Sequence, residues 1–118
     1  MKKILFLCLC VSGAVALPHV VLATDANRGY QADTILDGDY AAAEARLRDH
    51  LAVHPDDSFA LLNLAAICDR SGRSGEAREI YQRVMALRDN PYAKLADRRV
   101  EPVKTIAGNA LEALDKRP

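Results

Sequence analysis

A chain of 118 residues with 16 basic and 16 acidic side chains is long enough for one domain with a modest core, and its balanced charge gives nucleic acid nothing to hold. Aromatic residues are few and tryptophan is absent, while alanine, leucine, arginine and glutamate dominate the periodic segments. That composition favours helix and leaves strand signals sparse.

Residues 1–23 stand apart from the rest. Lys2 and Lys3 make a short basic start, Ile4 to Leu17 are apolar, and Pro18 breaks the run ahead of Val21-Leu22-Ala23. With polar Thr24-Asp25 following, the pattern fits a secretory signal peptide cut after Ala23. Ala14-Val15-Ala16 offers a second site, which would leave Leu17 to Leu22 as an apolar tail. A retained anchor would need roughly 20 apolar residues, and this stretch is shorter, so no stable membrane insertion is expected after cleavage. Cys8 and Cys10 lack the small residue that a lipoprotein leader sets before its cysteine, and no lipidation is expected. Cleavage removes Lys2 and Lys3 and no acid, leaving 14 basic residues against 16 acidic ones and Cys68 as the single cysteine. Beside Leu64, Ala65 and Ile67, Cys68 reads as a small buried hydrophobe, and no internal disulfide can form. The product is expected in a periplasm or outside the cell. The absence of an Asn-x-Ser/Thr acceptor makes bacterial export the simpler choice.

Asp25 to Leu36 is the first expected helix, ended by Asp37-Gly38-Asp39, where glycine supplies a left-handed residue and Asp39 can cap the next helix. Tyr40 to Val53 follows, with Ala43, Leu47, His50 and Leu51 three or four residues apart, and stops before Pro55. Asp57 or Ser58 starts a helix through Asp69, whose apolar stripe is Leu61, Leu64, Ala65 and Cys68. Ser71-Gly72-Arg73-Ser74 turns the chain into a helix from Glu76 to Leu87, with Ala77, Ile80, Tyr81 and Val84 on one face. So short a connection makes the two helices antiparallel. Asn90-Pro91 closes that unit and suits the start of a short helix over 92–99. A break at Arg98 to Pro102 precedes an amphipathic helix from Val103 to Leu114, with Ile106, Ala107, Ala110, Leu111 and Leu114 at helical spacing.

Catalytic patterns are missing: there is no glycine-rich phosphate loop, no paired cysteine motif and no serine in a nucleophile elbow. No enzyme activity, cofactor or metal is therefore expected. His50 and His54 share a helix face four residues apart, yet zinc wants three or four protein ligands, and a histidine near a helix C-terminus has a sufficient electrostatic role there. Asp56-Asp57 is explained by capping. Arg98-Arg99 is too short for a nucleic-acid patch.

Gly38, Ala43 and Ala52 are answered 34 residues later by Gly72, Ala77 and Ala86. That period resembles the tetratricopeptide repeat. Ala65 and Ala77 stand at its two small positions, Gly72 at its turn, Tyr81 at its aromatic position and Pro91 near its closing proline. Asn63-Leu64-Ala65 resembles the usual run of the first helix, and Gly38-Asp39-Tyr40 with Ala43 and Pro55 match the second half of an earlier unit. Departures are Gln31 where a small residue is usual, His50 and Val84 in place of alanine, and Pro91 two residues late. The resemblance implies an all-α fold of antiparallel helix-turn-helix repeats, a short α-solenoid. Residues 24–57 would be a degenerate first unit, 58–91 a second, and 92–118 a connector and capping helix.

The resemblance also implies a protein or peptide partner. The first helix of each such unit lines a concave groove, and the matching positions here are Phe59, Leu62, Asn63, Ala66, Asp69 and Arg70. Phe59 and Leu62 would give apolar contact, Asn63 would pair with a peptide backbone amide, and Arg70 would meet a carboxylate. Packing inside the domain explains Phe59 and Leu62 equally well. Two uses of the surface stay open: an exported, non-enzymatic adaptor, or a self-associating subunit of an envelope or secretion assembly. Two units fall short of the roughly three that such arrays need, which gives a homo-oligomer its rationale.

Overall fold

A computed structural model of the chain describes residues 21–22 and 31–117. Most of the expected leader, and the part of the first helix expected before Gln31, lie outside the described residues. The elements run β1 (Val21–Leu22), α1 (Ala32–Leu36), α2 (Tyr40–Val53), α3 (Ser58–Arg70), α4 (Ser74–Ala86), β2 (Tyr92–Leu95), β3 (Val100–Pro102) and α5 (Val103–Asp115).

The two glycines of the echo do the same work at the same place. Gly38 and Gly72 have φ of 88° and 83°, the left-handed region that favours glycine. Each N–H closes a helix end, Gly38 N to Ile35 O at 2.9 Å and Gly72 N to Asp69 O at 3.1 Å. The next residue in each case reaches one carbonyl further back, Asp39 N to Thr34 O at 3.1 Å and Arg73 N to Cys68 O at 2.8 Å. Both ends are Schellman motifs, and they satisfy carbonyls that α1 and α3 leave open. Asp39 then caps α2 by accepting from Ala42 N at 3.3 Å. Asp57 caps α3 by accepting from Phe59 N at 3.1 Å and Ala60 N at 3.4 Å. Its other oxygen lies 2.7 Å from His50 Nε2, which ties the end of α2 to the start of α3 across Pro55.

The packing is that of stacked hairpins. α3 is the central element, with Leu61, Ile67 and Cys68 sealed from solvent, and α2, α4 and α5 pack around it. Ala43, Ala65 and Ala77 are fully buried, so the helix backbones can approach closely where the repeat places its small residues. Tyr81 and Val84 of α4 enter the same core, as do Ile106, Ala107 and Leu114 of α5. Burial pushes the Cys68 thiol up to about 11, consistent with a packing role.

The connector departs from the sequence reading. Residues 92–99 do not form a helix: Tyr92–Leu95 and Val100–Pro102 form an antiparallel hairpin, with Lys94 opposite Val100 and Tyr92 opposite Pro102. Tyr-Ala-Lys-Leu alternates exposed and buried, the period of a strand, and Ala93 and Leu95 point into the core. The turn is closed by Arg98 N to Leu95 O at 2.9 Å and Leu95 N to Arg99 O at 2.8 Å, with Arg98 at a φ of 73°. Asn90 caps no helix over 92–99; its side chain accepts from Lys104 N at 3.0 Å, in the first turn of α5. The last helix covers the open face of the second unit as expected.

An ion-pair network joins the two units. Arg73 grips both oxygens of Glu44, at 2.9 and 2.6 Å. Arg48 bridges Glu44 at 2.8 Å and Glu76 at 2.7 Å. The Arg73 guanidinium is the main reason the Glu44 carboxyl falls from 4.5 to about 2. A depressed folded-state value means stability present above the unfolded value and lost as pH falls through the folded one. Glu44→Gln is expected to cost roughly 1 to 2 kcal/mol at neutral pH, half of what the shift alone would give because the arginines are partly solvated. Denaturant titration at pH 7 and pH 2 checks this: wild type should lose that increment between pH 4.5 and 2, and the variant should not.

Candidate partner-binding face

The six residues at the groove positions all lie on α3, and the fold separates them into three groups. Leu62, Asn63 and Ala66 share one stripe and are closed from solvent, Asn63 completely. Phe59 sits at the N-terminal end, half-buried against the core, where it lines an open depression with Asp56, Leu87, Arg88 and Pro91. Asp69 and Arg70 sit at the far end. Arg70 is exposed. Asp69 is engaged by the two terminal guanidinium nitrogens of Arg117, Nη2 to Oδ2 at 3.0 Å, beyond the last turn of α5. That ion pair borders a cavity of about 170 Å³ with Tyr81, Leu95, Arg99 and Glu101. Asp69 thus belongs to the seam between α3 and α5 more than to an open groove.

Asn63 carries the most specific chemistry on this face. A fully buried amide within an apolar stripe needs partners for a donor and an acceptor. Val21 N–H donates to Asn63 Oδ1 at 2.7 Å, and Asn63 Nδ2 donates to Val21 O at 3.1 Å. One side chain therefore meets both backbone groups of one extended residue, as a neighbouring strand would. On its other side β1 runs antiparallel to β2, Val21 opposite Leu95 and Leu22 opposite Lys94. The Val21 side chain is 1% exposed and joins the core cluster. Among the described residues, the face at the groove position is thus filled at its centre by an extended segment of the same chain.

The family resemblance put Asn63 at a position that pairs with a partner's backbone; the backbone it meets here is that of Val21 in the same chain. The edge of β2 that pairs with β1 had no counterpart in the sequence reading, because 92–99 read as helix. The alternation of Tyr92, Ala93, Lys94 and Leu95 was the available signal. The His50 and His54 rings lie 4.9 Å apart between centroids and are tilted by 41°, and no group of three metal-ligating side chains occurs among the described residues. No described helix is long and apolar enough to cross a membrane.

A family model described as tetratricopeptide repeat matches residues 35–98, more than half of the chain. None of the curated proteins and none of the solved structures compared with it matches.

Proposed function

This chain belongs to the tetratricopeptide repeat family, and on that premise we propose that it is an exported, non-enzymatic adaptor that holds a protein or peptide against α3. Repeats of this family are protein-interaction modules, and the finer reading rests on one observation. Asn63, at the groove position of the second unit, engages the backbone of an extended segment of the same chain through the oxygen and the nitrogen of its side-chain amide. An amide that reads backbone selects for an extended polypeptide without selecting its sequence; Phe59 and Arg70 at the two ends would add an apolar and an ionic contact. The apolar Ile4 to Leu17 stretch and the Val21-Leu22-Ala23 boundary support export. Self-association is the competing use of the surface.

Partner capture from an envelope extract tests the adaptor reading. A Phe59→Ala, Arg70→Ala double variant is expected to lose most of the proteins that wild type retains, while its circular dichroism and melting stay close to wild type. Unchanged capture by a folded double variant would remove the α3 face from the proposal.

A further inference from the structure

We infer that Asn63 and the outer edge of β2 form a strand-addition slot for an extended segment of a partner protein, and that the chain's own leader fills this slot until cleavage. The inference deepens the adaptor reading and rests on it.

The occupant seen in the slot defines the chemistry of the ligand. It is extended and antiparallel to β2, with its backbone held by Asn63 on one edge and by β2 on the other. Backbone pairing of this kind supplies affinity without sequence, and the side chain facing inward supplies selectivity. Here that side chain is Val21, sealed from solvent in the core, so the slot takes a small aliphatic residue. A charged residue at that point would be buried without a partner.

Three features make the occupant replaceable. First, β1 is only two residues long, and its described packing is against α3 and β2. Second, the slot's walls stand without it: β2 is paired with β3, β3 packs on α5, and α5 packs on α3 and α4. Third, Val21 and Leu22 lie on the leader side of the Ala23 boundary. Cleavage there takes away both bonds that Val21 makes with Asn63 and uncovers an aliphatic pocket beside an open strand edge. An unpaired strand edge is costly to leave open, and a strand supplied by another protein restores its pairing. While the leader is attached, the same site is closed, so capture is deferred until export.

The test uses the protein recovered from the periplasm of an expressing host, its N-terminus read by intact mass. The probe is a fluorescent peptide of residues 17–23, Leu-Pro-His-Val-Val-Leu-Ala, followed by anisotropy. The expected results are an N-terminus at Thr24, saturable binding of the peptide, and binding about tenfold weaker or worse for Asn63→Leu, which lacks both side-chain hydrogen bonds. A peptide carrying Val21→Asp should not bind, and because that change is in the probe it cannot disturb folding of the receptor. An N-terminus upstream of Val21, no binding of the peptide, or equal binding of the Asp peptide would each overturn the inference. Sedimentation of the exported protein alone should give a monomer. A dimer that the peptide dissociates would place a second copy in the slot and overturn the assignment to a different protein. Loss of peptide binding with Phe59- and Arg70-dependent capture intact would reject the slot and leave the adaptor reading standing.

Discussion

Leu95→Ala is expected to lower stability by about 3 kcal/mol, in the range for a buried leucine truncated to a methyl group. The residue is fully buried at the end of β2, where it faces the core opposite Val21. For a domain of this size the loss corresponds to a melting temperature lower by roughly 12 to 24 °C. Tyr92→Ala, on the same strand but 69% exposed, should change stability by no more than about 0.5 kcal/mol. The pair of variants discriminates between backbone geometries. In a helix, positions 92 and 95 lie three apart on one face and would be buried together; in a strand they point to opposite faces. Similar losses from the two variants, measured by thermal melting, would contradict the hairpin.

That contrast also shows where sequence reasoning stops for this chain. Four helices and the last one follow from local signals: Gly38 and Gly72 end helices, Asp39 and Asp57 cap helices, and the 3.6-residue stripes of α4 and α5 define their buried faces, whereas α3 is buried all round from Ala60 to Cys68. Such features are written within a few residues of where they act. The hairpin is different, because Tyr-Ala-Lys-Leu is too short for its alternation to outweigh the helix propensity of alanine, lysine and leucine. What decides it is tertiary: Leu95 must enter a core built from α3, α4 and α5, and Asn90 is already committed to α5 through Lys104. Asn63 is an intermediate case. The resemblance set it against a partner's backbone, whereas the backbone it meets is that of Val21, 42 residues upstream in the same chain, a separation that no local pattern encodes. Leu62 and Ala66 show the same limit from the other side, since a groove position and a core position on α3 carry the same apolar side chains.

Ala65→Leu should damage α3 strongly although it keeps the side chain apolar. Ala65 and Ala77 are both 0% exposed, on antiparallel helices joined by the short Ser71-Gly72-Arg73 turn. A turn so short, closed by two Schellman bonds, fixes the distance between the helix ends, so α3 and α4 cannot separate to admit three more carbons. Overpacking at such a site costs about 2 to 3 kcal/mol. A small domain has roughly 5 to 10 kcal/mol in all, so the variant should melt roughly 10 to 20 °C lower. Ala41→Leu makes the same chemical change at an exposed position of α2 and should shift stability by less than about 0.5 kcal/mol. A near-neutral Ala65→Leu in urea denaturation would mean that the helices of the second unit do not cross at their small residues. The repeat period would then record sequence similarity without the close backbone approach that gives it a physical basis.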